Sequence, residues 1–225
     1  MKVFGSVAKT AYYFKKIQGF CPHWKLQYKF KCKSTEYELT NWLEDSPFKI
    51  DKPLAIVAKE QLLGVGQNSR PWFSPKGGIW LSAAYPIFST EFSSEFLSLS
   101  FAIKLCEMLG MESIKVDLKW PNDIYYDSKK LIGFLPRVIT RGKEIIYLRI
   151  GFGMNFLNKT PSEGISLSEI LNTKNICEYN WTAKILKTIH DSVECNLKKI
   201  ILLKMQINTL QKNIYLEVTI LTIGK

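Results

Sequence analysis

Lys119-Trp120-Pro121-Asn122-Asp123 and Lys129-Lys130-Leu131-Ile132-Gly133 bring three lysines, an amide and a carboxylate into fifteen residues between apolar runs. Such a set can hold Mg²⁺ and phosphate, because a carboxylate offers hard oxygen ligands and ammonium groups offer charge-assisted donors. Pro121 cannot donate to a sheet ladder and biases Trp120 toward extended geometry, so the chain must leave a strand there. Residues 116–119 therefore read as the end of a strand and Asn122 and Asp123 as a turn. Residues 124–126 read as the next strand, 127–129 as a second turn, and 131–139 as a third apolar run. An ordinary hairpin with a solvated tip would show the same strands. Trp120 and Pro121 are nevertheless costly residues for an idle turn.

Three further stretches carry candidate chemistry. Residues 61–78 hold Gly64, Gly66, Gly77 and Gly78, two prolines, Arg70 and Trp72, which is too punctuated for a helix or strand. Loops of this length are functional or disordered, and glycines allow a ligand to approach the backbone closely. Gly64-Val65-Gly66 continues into neither a Walker A nor a Rossmann pattern, so by itself it also fits a plain surface loop. Gly151-Phe152-Gly153-Met154-Asn155 follows a strand and suits a flat or charged ligand, with Asn155 offering a donor and an acceptor. A β-bulge ending in a turn Asn reads the same way. Ser34-Thr35 lies at a strand-to-helix junction, where backbone N–H groups are unpaired; Thr35-x-x-Glu38 reads as a capping box.

The elements that must position these residues follow from periodicity. Residues 1–22 are basic, aromatic and weakly patterned, and read as an irregular lead-in. Residues 24–32 alternate as a half-buried strand and 35–44 as a helix. Residues 54–59, 79–85, 114–119 and 144–150 read as strands. Residues 92–109 form a strongly apolar helix expected to end with Gly110 in the left-handed position. Ser166 opens a short helix with a Ser-x-x-Glu capping box to Glu169, residues 181–195 form a longer helix, and 213–223 are strand-like. The sum is an α+β architecture, a mixed, largely antiparallel sheet with helices packed on one face.

Composition narrows the class. The 225 residues are 46% hydrophobic and 23% charged, as in globular domains, with a formal net charge of +11. That charge favours acidic partners, nucleotides among them, and equally fits a lysine-rich solvated surface. No basic helix with interleaved aromatics marks a nucleic-acid footprint. Cys21, Cys32, Cys106, Cys177 and Cys195 are odd in number, contain no C-x-x-C and face only two histidines, which argues against a disulfide framework or zinc site and for reduced thiols in the cytoplasm. No apolar run reaches membrane-spanning length, and no secretory leader is expected.

The ordered set of motifs resembles the biotin protein ligases, of the monofunctional bacterial type without a DNA-binding domain. Ser34-Thr35-Glu36 is similar to their S-T-N element, and residues 61–72 to their Q-x-x-G-R-G-R-x-x-R-x-W loop. Residues 74–82 are similar to their S-P-x-G-x-L-Y-L-S strand; Lys119–Asp123, Lys130–Gly133 and Gly151-x-Gly153-x-Asn155 complete the series. The likeness covers roughly residues 25–195. It implies a core like that of class II synthetases and an ATP-dependent ligase that first joins biotin to AMP. Biotin is then passed from biotinyl-5′-AMP to a lysine of a biotin carrier domain, that of acetyl-CoA carboxylase. It implies ATP and biotin as substrates with Mg²⁺, a cytoplasmic protein, and compatibility with a homodimer through sheet edges, with no DNA or membrane partner. Carried onto this sequence, the resemblance makes Lys130, Arg70 and Asp123 catalytic, with Asp123 on the metal. It gives Ser34, Thr35, Gln61, Gly64, Lys130 and Gly133 to biotin, and Arg70, Trp72, Lys119, Asn122 and Asn155 to the nucleotide.

The departures are specific. Val65 and Gln67 stand where the family loop carries arginines, which predicts looser retention of the adenylate. Pro136-Arg137 stands where an acidic residue is common. Only about thirty residues follow the last helix, so the family's C-terminal β-barrel is expected to be absent or truncated. The expected division is 1–23 as lead-in, 24–200 as the biotin- and ATP-binding catalytic domain, and 201–225 as a remnant of the C-terminal domain. Two alternatives remain: a lipoate or octanoyl transferase of the same fold, and an inactive or single-step relative that binds biotin or nucleotide without transfer.

Overall fold

The computed structural model describes residues 5–17, 23–45, 50–87, 94–141 and 144–195. The strands β1 (Lys25–Lys29), β2 (Leu54–Ala58), β3 (Ile79–Pro86), β4 (Asp117–Lys119), β5 (Asp123–Tyr126), β6 (Lys129–Arg141) and β7 (Glu144–Met154) make one sheet. Its order is β1-β2-β3-β7-β6-β5-β4. β1 and β2 run parallel, joined through helix α2 (Thr35–Glu44); all other neighbours are antiparallel. This is the α+β, largely antiparallel sheet that the sequence predicts.

Alternation decides which side chains meet the helices. Ile79, Leu81, Ala83 and Tyr85 of β3 share a core with Leu148, Ile150, Phe152 and Met154 of β7. That core is covered by α3 (Ser94–Met111) and by α5, residues 178–195. α3 inserts Leu97, Phe101, Leu105 and Leu109, and α5 inserts Trp181, Ile185, Ile189 and Val193, each four residues apart on one helical stripe. A fully buried side chain of this kind contributes about 1.5–3 kcal/mol. The opposite face is open except where Leu39 of α2 packs on Leu54, Ile56 and Ala84 and where Trp72 packs on Trp80, Cys32 and Ala58. The long helices thus share one face, while the ten-residue α2 sits on the other and borders the open area.

Four local expectations are corrected. Ser6–Phe14 form a helix, α1, within the region read as irregular. A nine-residue helix is marginal alone. It is held by Thr10, whose hydroxyl meets the Tyr28 hydroxyl at 2.6 Å, and by Phe14 against the main core. The first strand stops at Lys29, because the chain then bends so that Cys32 bridges to Gln61. α3 runs through Gly110 to Met111, and the left-handed residue is Ser113 (φ 63°). Ser113 N–H donates to the Gly110 carbonyl and Ile114 N–H to that of Leu109, a Schellman geometry that returns Ile114 to the core. β7 continues through Gly151 and Gly153 rather than ending before them, with ladder partners on both sides. The short helix α4 (Leu167–Ile170) has the expected Ser166–Glu169 capping box. Residues 196–225, including the predicted C-terminal remnant, lie outside the described residues, as does Cys21. No helix among the described residues is long and apolar enough to cross a membrane.

Candidate active site

A cavity of about 290 Å³ lies on the open face, at the small end of the range for small-molecule sites. Its floor is β6 and β7, where Gly133 and Gly153 are direct ladder partners and Gly151 pairs with Ser82 of β3. Side chains are missing from this floor at three places because other groups fill the space. A Cβ on Gly133 would stand 2.8 Å from the Trp72 ring, and one on Gly153 would stand 2.6 Å from Trp72 Nε1. A Cβ on Gly151 would stand 3.2 Å from Glu36 Oε1.

The first wall is the N-terminus of α2. Ser34 is the N-cap, accepting from the Tyr37 amide at 3.1 Å. The expected Thr35–Glu38 box does not form, because Thr35 is already the first helical residue and Glu38 pairs with Lys29 at 3.1 Å. Thr35 instead donates its amide (2.7 Å) and hydroxyl (3.0 Å) to Gln61 Oε1, and its hydroxyl lies 2.8 Å from Ser82 Oγ. Gln61 Nε2 donates to Ser74 Oγ, which donates to the Trp72 carbonyl. One network therefore sets the helix start, the glycine loop and the sheet relative to each other.

The second wall is that loop, which is a folded hairpin. Val65 bridges to Pro71, Gly66 N–H donates to Arg70 at 2.8 Å, and Trp72 N–H donates to Gly64 at 2.8 Å. Asn68 and Ser69 take left-handed φ of 54° and 58° at the tip. Gly64 has no room for a side chain, since a Cβ would stand 2.4 Å from the Trp72 carbonyl oxygen. Arg70 is exposed on the cavity rim.

The third wall is the crest of the β4–β5 hairpin, Lys119–Asp123. The Trp120–Pro121 bond is cis, and Ser98 of α3 donates to the Pro121 carbonyl at 2.8 Å, fixing the crest to the helix layer. Asn122 and Asp123 line the cavity, and Asp123 Oδ2 stands 2.7 Å from Lys130 Nζ. Lys130 is clamped by its backbone to Glu163 and Ile165, and its ammonium lies 4.7 Å from the centre of the Trp72 ring.

Of the residues singled out from sequence, Ser34, Thr35, Gln61, Arg70, Trp72, Asn122, Asp123, Lys130 and Gly133 line the cavity. Three do not. Gly64 is packed under Trp72; Lys119 is exposed with its ammonium over the Tyr125 ring at 5.2 Å; Asn155 is buried beyond the end of β7. Asn155 donates to the Lys130 carbonyl at 3.2 Å and accepts from Asn158 at 3.0 Å, so it braces Lys130 from behind. Sequence reasoning missed the role of Glu36, Arg137 and Arg149. Arg149 Nε stands 2.9 Å from Glu36 Oε2, and the same guanidinium donates to the Glu36 carbonyl and, at 2.7 Å, to Thr40 Oγ1. Arg137 donates to Glu36 Oε2 as well. The signal was present: two arginines and a glutamate all stand on departures or unremarked strand positions, but only the sheet puts them side by side.

Residues 31–155 match the model of the biotin/lipoate A/B protein ligase family, more than half of the chain. The chain belongs to this family. The Escherichia coli bifunctional ligase/repressor BirA is 32% identical over 113 residues, 49% of this chain and 35% of that protein. The human biotin–protein ligase is 30% identical over 135 residues, 56% of this chain and 18% of that protein. The chain thus spans about a third or less of the length of these two relatives. The biotin protein ligase from Aquifex aeolicus, solved in complex with biotin and ATP, superposes with a TM-score of 0.62. It is 26% identical, covering 76% of this chain and 70% of that one.

Mg²⁺ is the one metal that the family reading brings in. Among the described residues no three His, Cys, Asp or Glu side chains gather to hold a metal, and Asp123 is the sole carboxylate on its crest wall. This donor set does not fit a resident cage. It fits an ion that arrives on nucleotide phosphates and takes one carboxylate, the usual habit of Mg²⁺.

Proposed function

We propose that this chain is an ATP-dependent biotin–protein ligase, which makes biotinyl-5′-AMP and transfers biotin to a lysine of a biotin carrier domain, that of acetyl-CoA carboxylase. The observation that carries the reading is the convergence of four distant family motifs on one cavity, around residues 34–36, 61–72, 122–133 and 151–153.

The first step brings together two anions, the biotin carboxylate and the α-phosphate of ATP. Their repulsion demands cations, and Lys130 and Arg70 are the two on the cavity wall among the described residues. Asp123 pairs with the Lys130 ammonium, so an anion that binds Lys130 would share or replace that carboxylate partner. Asp123 would hold a Mg²⁺ carried by the nucleotide, and that ion would supply positive charge at the phosphates. The Trp72 indole, lying on Gly133 and Gly153, gives a flat apolar cover for the bicyclic ring or the adenylate. In the second step the acceptor lysine must lose a proton, at a cost of about 4 kcal/mol at neutral pH. Asp123, the carboxylate beside Lys130 on the cavity wall, is the group we assign to assist.

Val65 and Gln67 face this site without charge. Losing a charge-assisted contact at each costs about 1.5–3 kcal/mol. Release of biotinyl-AMP is accordingly faster than from a ligase with both arginines; slow release in a chase with unlabelled biotin and ATP would contradict this.

The test is transfer of labelled biotin to a purified carrier domain with Mg-ATP, beside Asp123→Ala and with lipoate as competitor. ATP-dependent transfer lost in Asp123→Ala is expected. Adenylate without transfer would indicate a single-step protein, and preference for lipoate would turn the reading to the lipoate branch of the family.

A further inference from the structure

Glu36 stands where the family motif has an amide, and it puts a carboxylate into the cavity wall. Its two oxygens are in different situations. Oε2 is held by Arg149 and Arg137. Oε1 is buried, lies over the bare Gly151 backbone, and has no hydrogen-bond partner among the described residues. Three neighbouring side-chain acceptors are engaged: Gln61 Oε1 accepts twice from Thr35, Ser34 Oγ accepts from Tyr37, and Ser82 Oγ is shared with Thr35. A buried acceptor without a donor is costly, and the cost is removed when a ligand supplies an N–H.

We propose that Glu36 Oε1 is a specificity-determining acceptor for a ring N–H of the ligand, oriented by the Arg137–Arg149 pair. The inference rests on the biotin reading above and names what separates biotin from its rivals at this site. A cyclic urea carries N–H donors; a dithiolane or a plain acyl chain carries none and would leave Oε1 buried and unpaired. A site built around a hydrogen bond rejects analogues that lack the donor far better than a greasy pocket rejects size changes. Arg149 and Arg137 act through Glu36. They fix its carboxylate in one orientation, and Arg149 also ties the first turn of α2 to the sheet through the Glu36 carbonyl and Thr40.

The experiment measures affinities for biotin, for biotin methylated at the urea nitrogens, and for lipoate, in the wild type and in Glu36→Gln. In the variant the amide oxygen stays with the arginines and the NH₂ turns to the ligand, so an acceptor becomes a donor. Wild type should prefer biotin over the methylated analogue by roughly 10- to 150-fold, the range of a charge-assisted bond. Glu36→Gln should lose a similar factor for biotin, gain no further penalty from methylation, and keep its affinity for lipoate and for ATP. Equal methylation penalties in both proteins would overturn the inference, as would unchanged biotin affinity in the variant. If Glu36→Gln does not fold, wild type decides alone: equal affinity for biotin and its methylated analogue refutes the assignment. Absence of saturable biotin binding to wild type would instead overturn the proposed function.

Discussion

Replacing Gly153 by alanine tests how the cavity floor and Trp72 are fitted together. Gly153 lies in an extended ladder between Trp80 and Gly133, so alanine is acceptable to the backbone there. The obstacle is the indole. The new Cβ would stand 2.6 Å from Trp72 Nε1 and 2.9 Å from Cε2, whereas ordinary contact begins at 3.4 Å. The ring must retreat from 2.6 to 3.4 Å, by about 0.8 Å. Overpacking of this kind costs about 1–3 kcal/mol. The alternative response, swinging the indole outward, sacrifices its packing on Trp80, Cys32 and Ala58, and the protein takes the cheaper of the two. In a domain of this size each kcal/mol lowers Tm by about 2–4 °C. Thermal melts of Gly153→Ala, Trp72→Ala and the double variant form a cycle. The glycine substitution should destabilise the wild type by about 1–3 kcal/mol and the Trp72→Ala background by less than about 0.5 kcal/mol, because the clashing ring is gone. ATP–pyrophosphate exchange with biotin should follow the same cycle. An equal cost in both backgrounds would show that Trp72 does not rest on the glycines and would refute the reasoning.

Two further expectations concern stability. Ser34→Ala removes the N-cap of α2 and should cost about 1 kcal/mol, while Ser34→Asp should restore the melting temperature; an unchanged melt for the alanine variant would dismiss the cap. His190 is buried against Tyr85, 2.7 Å from its hydroxyl, and burial holds its imidazole below the ordinary 6.5, aided by Lys187 and opposed by Glu194 and Asp191. The unfolded chain therefore takes up this proton at higher pH than the folded one. Its contribution is complete above about pH 6.5 and is lost as pH falls below that value. Urea midpoints should drop between pH 7 and 5.5 and do so less steeply in His190→Gln; a midpoint that rises on acidification would contradict the assignment.

Much of the site was legible because its chemistry is local in sequence. The Lys119–Asp123 crest, Lys130, the Gln61–Trp72 loop and the Ser34-Thr35 junction are each short runs whose residue types declare a turn, a cap or a charged group. Of the site residues predicted from sequence, all but Lys119, Gly64 and Asn155 reach the cavity wall. The α+β sheet was legible for the same reason, since alternation and helical spacing are read within ten or fifteen residues. What the chain alone left undecided depends on groups far apart. α1 exists because Thr10 finds Tyr28 and Phe14 finds the core, not because its own pattern demands a helix. α3 runs to Met111 and takes its left-handed residue at Ser113 rather than Gly110 because Ile114 must turn back into the core. Gly133 and Gly153 become a cradle only when β6 and β7 align in register, and Asn155 becomes a brace only when Lys130 arrives beside it. Glu36, Arg137 and Arg149 are spread over more than a hundred positions, and no spacing rule connects them. Local patterns fix what each segment can do; pairing across the sheet decides which segments face the same ligand.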